Sequence, residues 1–210
     1  RQIIVVISVL SMALGAFAAI GQKNIKRMMA YSSIGHMGYA LLGLAAGTTA
    51  GMQGVLIYLT FYLITNAGVF VCILLMKRDG QQVEAISDLA GLSHKRPVLA
   101  FSLGVMMFSL AGIPPLAGFF AKWYVFLAAI QAHLYGLAII GVLASVVGAY
   151  YYLHVVKVMY FDSPVPAIEG RLGARMNIVL VASVVFTLGF VAGAAPLVAA
   201  ATTAAQALLP

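Results

Sequence analysis

The chain has 210 residues, of which 63% are hydrophobic and only 8% are charged, and its mean hydropathy is +1.06. These values exclude a soluble domain and predict an all-α integral membrane protein, a polytopic helix bundle in contact with the lipid bilayer. The net charge of +7 does not indicate a nucleic-acid partner, because the basic residues cluster at the ends of apolar segments.

Six apolar segments, separated by polar connections, are long enough to cross a bilayer as helices. We predict transmembrane helices at residues 3–20, 28–46, 54–76, 98–131, 134–160 and 176–195. The first five form one unit at residues 1–160, and a cytoplasmic loop at 161–175 leads to the last span and its tail at 176–210. Because the chain opens at Arg1 directly into an apolar segment, we expect a further N-terminal portion.

Ten of the twelve lysines and arginines lie in three clusters at alternate connections. The clusters are Lys23, Lys26 and Arg27; then Lys77, Arg78, Lys95 and Arg96; then Lys157, Arg171 and Arg175. The connections at 47–52 and 131–136 contain neither lysine nor arginine. By the positive-inside rule, the basic connections are cytoplasmic.

The second predicted span carries one face of polar and small residues at helical spacing. These residues are Ser32, His36, Tyr39 or Ala40, Gly43 and Gly47. His36 titrates near neutral pH and both of its ring nitrogens can handle a proton, so it is a candidate for proton transfer, with Ser32 on a possible secondary path. The alternative is a permanently neutral imidazole in a hydrogen bond between helices.

The third predicted span places Tyr58, Tyr62 and Asn66 four residues apart on one face. Either this stripe faces a hydrated interior, which puts Tyr62 on a secondary proton path, or its side chains join helices by polar contacts. In the polar segment that follows, Ser87 or Asp88 is expected to cap a short surface helix.

The fourth predicted span is too long for one straight crossing, because its residues would extend about 50 Å as a helix. Gly112, Pro114 and Pro115 interrupt it, and a proline lacks the backbone N–H and clashes with the preceding turn. We therefore predict one discontinuous span, broken at Gly112–Pro115, with half-helices at 98–111 and 116–131.

Lys122 lies in the second of these half-helices, about 15 Å from its far end and near the centre of the bilayer. A charge at that depth costs several kcal/mol, roughly 3 or more on insertion scales, so a functional role in proton transfer is expected. The alternative is a lysine paired with backbone carbonyls that the break sets free. No carboxylate lies within any predicted span, so a partner charge must come from elsewhere.

The fifth predicted span ends with Tyr150, Tyr151 and Tyr152, which we expect in an interfacial belt at the cytoplasmic surface. His133 lies just outside the membrane at the other end of this span, either as a proton exit group or as a solvated turn residue. Pro196 follows the last span, and the alanine-rich tail beyond it is either an interfacial helix or a frayed end.

The sequence contains no Rossmann glycine fingerprint, phosphate-binding loop, metal-ligand spacing or Ser-His-Asp arrangement. The single cysteine, Cys72, lies in an apolar span, where we expect a packed, unreactive thiol. We expect no cofactor-binding residues, no metal site and no redox chemistry in this chain. An intramembrane lysine, a buried histidine and polar helix faces fit proton movement by protonation and release.

Two tracts carry a resemblance to a known family. Residues 22–39, QKNIKRMMAYSSIGHMGY, and 109–122, SLAGIPPLAGFFAK, resemble the antiporter-like membrane subunits of respiratory complex I and of the related multisubunit cation/proton antiporters. Two further tracts, QAHL at 131–134 and YYYL at 150–153, narrow the resemblance to one subunit type of the bacterial NADH:quinone oxidoreductase.

The resemblance implies that residues 1–160 are the second of two inverted five-helix repeats, with the broken span as the discontinuous helix of that repeat. Lys122 then falls at the position of the family's proton-handling residue, and His36 falls on its central hydrophilic axis. The charged residues of the family's first half-channel belong to sequence that this chain does not contain.

The function implied is a non-redox, proton-translocating membrane subunit of NADH:quinone oxidoreductase, multi-pass in the bacterial inner membrane. Its partners would be a neighbouring antiporter-like subunit and small membrane subunits, and the FMN, iron–sulfur clusters and quinone would belong to other subunits. One alternative is a cation/proton antiporter subunit of the same fold. Another is a structural membrane subunit that carries no protons.

Overall fold

The computed structural model describes residues 1–166, 168–170 and 173–208, and within this part of the chain almost all regular structure is helical. The elements are α1 (Gln2–Ile20), α2 (Ile25–Ala46), α3 (Thr49–Leu74), β1 (Lys77–Arg78), β2 (Gln81–Gln82), a 3-10 helix (Ile86–Leu89), α4 (Leu92–Lys95), α5 (Pro97–Ala111), α6 (Ala117–Gln131), α7 (Tyr135–Phe161) and α8 (Ala174–Leu208). Arg171 of the third basic cluster lies outside the described residues, as do parts of the predicted loop and tail.

Among the described residues, four helices are long and apolar enough to cross a membrane by length and composition, namely α1, α3, α7 and α8. Helices α5 and α6 are apolar but have 15 residues each, about 22 Å of helical rise, which is too short for one crossing. Helix α2 has 22 residues, but Lys26, Arg27 and its polar face lower its hydropathy. The part of the chain that the structure describes is thus almost entirely helical, as predicted, and the count of six spans stays a prediction.

Helices α2 and α3 begin before the predicted spans, because each starts directly after a side chain that caps it. Asn24 is the N-cap of α2, and its Oδ1 accepts a hydrogen bond from the Arg27 N–H at 3.0 Å. Helix α3 begins five residues earlier than the predicted span. The reason is that Thr48 caps it, with Oγ1 accepting from the Gly51 N–H at 3.0 Å.

Helix α8 continues through Pro196 as far as Leu208, beyond the predicted end of the last span. Proline removes one backbone hydrogen bond, so tertiary packing must hold the following turns in a helix. The Gln53 Nε2 on α3 donates to the Thr202 Oγ1 at 2.7 Å, and Ala205 is fully buried. The tail is thus a helix packed on α3, rather than a frayed end.

The segment between α3 and α5 is more compact than the predicted surface helix. Strands β1 and β2 pair antiparallel, and the turn between them uses Asp79 and Gly80 with φ of 51° and 73°. Ala85 occupies the N-cap of the following 3-10 helix, so the prediction of Ser87 or Asp88 as N-cap is wrong. Asp88 does act as a cap from within the helix, because its Oδ2 accepts from the Ala85 N–H at 3.1 Å.

The charged connections gather at one end of the bundle. The turn after α1 pairs with the segment before the 3-10 helix, since the Ile25 N–H donates to the Glu84 O at 2.8 Å. At this end Glu84 also accepts from the Lys26 Nζ at 2.7 Å and from the Asn24 Nδ2 at 2.7 Å. The break between α5 and α6 lies far from this end, inside the bundle where α6 packs against α2 and α3.

Candidate functional site

The break between α5 and α6 begins at Gly112, which adopts a left-handed conformation with φ of 91°. This conformation ends α5, because the Gly112 N–H turns back to the carbonyls of Phe108 at 3.2 Å and Ser109 at 2.9 Å. The Ile113 N–H also donates to the Phe108 carbonyl, at 3.1 Å. No backbone N–H of the described residues donates to the final two carbonyls of α5, those of Leu110 and Ala111.

The link then passes through Pro114 and Pro115, which the sequence predicts as the helix break, and α6 starts at Ala117. Gly118 brings α6 back against α5, since its N–H donates to the Ser109 Oγ at 3.0 Å. A side chain at Gly118 would collide with the Ser109 carbonyl oxygen. The break is therefore a tight reversal between two helices.

Lys122 supplies the hydrogen bonds that the end of α5 lacks. Its Nζ donates to the carbonyl oxygens of Leu110 and Ala111 at 3.0 Å each, and to the Ser145 Oγ on α7 at 2.8 Å. An ammonium has three N–H donors, so these three acceptors satisfy all of them. A cation at a helix C-terminus also interacts favourably with the helix dipole. The alternative of a lysine paired with freed backbone carbonyls is thus what the geometry contains.

The environment of Lys122 is neutral as well as buried. Its side chain is 6% exposed, and none of the ion pairs among the described residues includes it. The ring of Tyr39 lies with its centroid 5.3 Å from Nζ, within the range of a cation–π contact. Carbonyls, a hydroxyl and an aromatic face stabilise a charge without carrying one. The Ser145 hydroxyl can also donate to the amine when the amine is uncharged.

His36 is the second buried titratable group, at 2% exposure, and it bridges two helices. Its Nδ1 lies 2.7 Å from the hydroxyl of Tyr58 on α3, and its Nε2 lies 2.9 Å from the hydroxyl of Tyr152 on α7. The Tyr152 hydroxyl is also hydrogen-bonded to the Ser32 Oγ. The face predicted on α2 is buried from Ser32 to Gly43 and exposed at Gly47. Its Ser32 and His36 join one tyrosine of α3 and one of α7 in a continuous chain of four groups.

This chain can carry a proton without moving the backbone. A neutral imidazole is a donor at one nitrogen and an acceptor at the other, and each hydroxyl is both. Protonation at one ring nitrogen and release from the other reverses the direction of the hydrogen bonds along the chain. The alternative for His36, a permanently neutral imidazole in hydrogen bonds between helices, involves the same contacts without any proton movement.

A small cavity separates the Lys122 cluster from the His36 chain. It offers about 10 Å³ to the centre of a water molecule, which is room for about one water. The residues that line it come from α1, α2, α5, α6 and α7, and include Ser32, His36, Tyr39, Lys122, Ser145 and Tyr152. One water at this place has enough polar neighbours to connect the two clusters.

Tyr62 lies beside the His36 chain without joining it by a hydrogen bond. Its ring stacks on the His36 ring at 4.9 Å between centroids, and its hydroxyl donates to the Ser33 Oγ at 2.6 Å. Farther along the same stripe, the Asn66 Oδ1 is buried with no hydrogen-bond partner among the described residues. Tyr58 and Tyr62 thus make interhelical contacts, as one of the two readings of this stripe predicts.

His133 lies apart from both clusters. It occupies the turn between α6 and α7 with φ of 59°, it is exposed, and its Nδ1 lies 3.0 Å from the Tyr135 hydroxyl. Nine residues of α6 separate it from the turn of Lys122, about 14 Å of helical rise. This position matches a solvated turn residue, and a role as proton exit group stays a prediction.

Tyr151 and Tyr152 lie inside the bundle and not at its surface, where the sequence analysis predicts them. Tyr150 is 59% exposed, but Tyr151 and Tyr152 are buried at 6% and 2%, so the prediction of an interfacial belt is wrong for these two. They point inward because they continue the face of α7 that carries Ser145 and Gly148. The spacing of Ser145, Gly148 and Tyr152, three and then four residues apart, was the available signal for this face.

The single cysteine of the sequence takes part in neither cluster. Cys72 is a buried free thiol, as predicted. Within residues 1–166, 168–170 and 173–208, no three histidine, cysteine, aspartate or glutamate side chains are grouped so that they could hold a metal ion.

Comparison with known proteins places these clusters in a family context. Residues 1–148 match the family model described as NADH:quinone oxidoreductase/Mrp antiporter, transmembrane. The chain is 60% identical over 210 residues to NADH-quinone oxidoreductase subunit N of Parvibaculum lavamentivorans, covering 100% of this chain and 44% of that protein. It is 71% identical over 169 residues to subunit N of Beijerinckia indica, covering 80% of this chain and 35% of that protein.

A solved structure also matches the chain in three dimensions. A chain of respiratory complex I from Thermus thermophilus with bound aureothin is 31% identical and aligns with a TM-score of 0.75, covering 90% of this chain and 43% of that one. The chain therefore spans less than half the length of each protein that it matches here. Both curated relatives are subunit N, the subunit type that the tracts at 131–134 and 150–153 predict.

Proposed function

Because the chain belongs to the NADH:quinone oxidoreductase/Mrp antiporter transmembrane family, we propose that it forms part of a proton-translocating membrane subunit of NADH:quinone oxidoreductase. In this proposal residues 1–160 are the second of two inverted five-helix repeats, and α5 and α6 together make one discontinuous span among six. The subunit is multi-pass in a bacterial inner membrane, with the basic connections in the cytoplasm.

The observation that carries the proposal is the set of partners around Lys122. Its amine is bonded to two helix carbonyls and one hydroxyl, and to no carboxylate among the described residues. An opposite charge left unpaired in the membrane would cost several kcal/mol, roughly 3–5. Because Lys122 has no such partner within the described part of the chain, loss of its proton does not carry this cost. The Ser145 hydroxyl turns from acceptor to donor and keeps its bond to the nitrogen.

The His36 chain supports the same function by giving the proton a second group. A proton that reaches the cavity can bind one ring nitrogen of His36 while the proton on the other nitrogen passes to a tyrosine hydroxyl. Tyr152 and Ser32 continue the chain along α2 and α7. Ser32 lies nearer the start of α2 than His36, and Tyr152 lies in the second half of α7. The chain therefore runs from the break toward the end of the bundle that carries the basic connections.

The charge that drives Lys122 between its two states comes from outside this chain. The five acidic residues lie at the charged end, in the connections after α3 and α7. We assign the driving charge to the remainder of the subunit or to a neighbouring antiporter-like or small membrane subunit. FMN, iron–sulfur clusters and quinone belong to other subunits, and this chain takes no part in the redox steps.

The test is NADH-driven proton uptake, measured with NADH oxidation, in inverted membrane vesicles that carry Lys122→Met in the full-length subunit. Lys157→Met is the matched control, because Lys157 is an exposed lysine on the neighbouring helix. With assembly confirmed for both, we expect proton uptake to fail in Lys122→Met and to persist in the control. Unchanged uptake in Lys122→Met would contradict the proposal.

A structural subunit without proton transfer is the second candidate, and one observation favours it. Lys122 donates hydrogen bonds to two carbonyls at the end of α5, so it stabilises the break between α5 and α6 independently of any proton transfer. This reading predicts that Lys122→Met weakens assembly but leaves proton uptake per assembled complex intact.

A cation/proton antiporter subunit, which the family description also covers, would exchange ions in vesicles without NADH.

A further inference from the structure

A groove at the charged end of the bundle lies between the beginnings of α5 and α8. It has a volume of about 270 Å³. Its lining is Lys95, Arg96, Pro97, Val98, Leu99, Asn177 and Leu180. None of these residues takes part in the Lys122 and His36 clusters, so the groove has no role in the proposed proton transfer.

The lining of this groove is divided into a polar and an apolar half. Lys95 and Asn177 are exposed polar residues, whereas Leu99 and Leu180 are buried at 5% and 3%. Val98 is 76% exposed although it is a valine. The polar half lies at the ends of the helices, and the apolar half lies one turn deeper, toward the middle of the membrane. A ligand that fits both halves carries a polar head on an apolar body.

The apolar half continues along both helices. Phe101 follows Val98 three residues later on α5 and is 52% exposed, and Val181 follows Asn177 four residues later on α8 and is 53% exposed. Residues three or four apart share one face of a helix. Exposed apolar side chains therefore continue from the groove along the face of α5 that carries Val98 and along the face of α8 that carries Asn177, which gives an acyl chain apolar surface beside the groove.

The polar half carries two cations, Lys95 and Arg96, that form no ion pair with a described carboxylate. The ion pairs among the described residues are Lys26–Glu84, Arg78–Asp88 and Lys157–Asp162, and none involves the groove. Lys95 instead donates from Nζ to the Val165 carbonyl at 2.9 Å, and Arg96 donates from Nη1 to the Gly170 carbonyl at 2.5 Å. Neutral carbonyls fix the two cations in place and leave their charge available to an anion.

We propose that this groove binds an anionic phospholipid of the cytoplasmic leaflet. Its phosphate lies against Lys95 and Arg96, Asn177 donates to a headgroup oxygen, and one acyl chain follows Val98 and Phe101. Basic pockets between membrane helices at the cytoplasmic surface suit anionic headgroups. A soluble phosphate would use the cations alone, and an exposed valine beside them would have no partner.

The test uses the assembled complex with a photo-crosslinking amino acid in place of Val98 in the full-length subunit. The complex is reconstituted into vesicles of phosphatidylcholine with rising fractions of phosphatidylglycerol, irradiated, and the adducts on the subunit are identified by mass spectrometry. We expect phosphatidylglycerol adducts that saturate at a low fraction of this lipid. Adducts that follow the bulk lipid composition, crosslinks to a neighbouring subunit, or no adduct at all would overturn the proposal.

Two variants examine the charge requirement in the same experiment. Lys95→Gln removes one cation, and Asn177→Asp adds a negative charge on the opposite wall while both cations remain. A basic residue at an anionic membrane surface contributes about 1 kcal/mol, so each variant is expected to raise the half-saturating phosphatidylglycerol fraction about five-fold. Lys157→Gln, outside the groove, is the control and should leave it unchanged. Equal saturation in all three variants and the parent would also overturn the proposal.

Discussion

Two lysines on consecutive helices of this bundle are held in opposite ways. Lys157 on α7 has a side chain 59% exposed and pairs with the Asp162 carboxylate at the charged end. Lys122 on α6 is 6% exposed and is bonded to two backbone carbonyls and one hydroxyl. Solvent reaches both members of the Lys157–Asp162 pair and can solvate either charge. At Lys122 the protein itself supplies the partners, and these are neutral dipoles that leave no unpaired charge when the amine loses its proton.

The contacts of Lys122 depend first on the left-handed turn at Gly112, which leaves the last two α5 carbonyls free to accept its hydrogen bonds. Gly112→Ala should have the largest effect on stability, because alanine at φ of 91° is strained and its Cβ would lie 3.1 Å from the Lys122 Nζ. We expect a loss of about 2–4 kcal/mol from left-handed strain and crowding together. The measurement is thermal unfolding of the subunit in the assembled complex.

The matched control for this substitution is Gly136→Ala. Gly136 lies in α7 without a positive φ, and a Cβ there meets no atom within 4 Å. We expect it to be neutral or slightly stabilising, since alanine favours a helix. Equal losses at both glycines would show that the turn at Gly112 contributes nothing specific.

Removal of the hydroxyl acceptor comes next in size. Ser145→Ala leaves the Lys122 ammonium with two of its three acceptors, and hydrogen bonds to charged groups contribute about 1.5–3 kcal/mol. We expect a loss of stability in that range and a lower rate of proton uptake. Ser102→Ala is the control, because the Ser102 hydroxyl bonds only to the Val98 carbonyl of its own helix, at 2.8 Å. Identical effects of the two substitutions would contradict the role of Ser145.

The His36 chain can be interrupted by removing a single oxygen atom, that of the Tyr152 hydroxyl. Tyr152→Phe removes the hydroxyl that contacts both the His36 Nε2 and the Ser32 Oγ, at an expected cost of about 1–2 kcal/mol for the unpaired buried groups. Proton uptake per NADH oxidised should fall with the complex intact. Tyr150→Phe, on the exposed face of the same helix, should change neither quantity. If Tyr152→Phe pumps at the parent rate, the chain is structural.

The smallest expected effect lies at the charged end. Hydrogen bonds from Lys26 and Asn24 hold the pKa of the Glu84 carboxyl below its usual range. A carboxyl with a lowered folded-state pKa stabilises the fold above its unfolded pKa, and this contribution is lost as the pH falls through the folded pKa. Glu84→Gln should therefore be slightly less stable at neutral pH and equal to the parent in acid. A difference that grows with acid would contradict this assignment.

The sequence predicts the regular parts of this molecule because their signals are local. Apolar length, the prolines after Gly112 and the basic clusters mark α1, α2, α5, α6 and α7 close to their observed bounds. The continuation of α8 beyond Pro196 depends on packing against α3, through Gln53 and Thr202, and no local signal encodes that contact. The hairpin of β1 and β2 has only the Asp79-Gly80 turn as its signature.

The candidate site likewise contains residues that local sequence signals predict and partners that only the fold brings to them. Lys122 and His36 are visible in the sequence because a titratable residue inside an apolar span is costly and therefore conspicuous. Their partners Ser145, Tyr58 and Tyr152 come from other helices, and which helices touch is a property of the fold. The acceptors on Lys122 include two backbone carbonyls, which the sequence could only suggest through the break that frees them.

The measurement that tests the account most directly is proton uptake per NADH oxidised in a complex that carries Lys122→Arg in the full-length subunit. A guanidinium keeps the positive charge and donates to the Leu110 and Ala111 carbonyls, but it does not release its proton in proteins. We expect an assembled complex in which proton uptake is lost. Uptake at the parent level would contradict proton transfer by Lys122, because a permanent cation would then serve as well as a lysine.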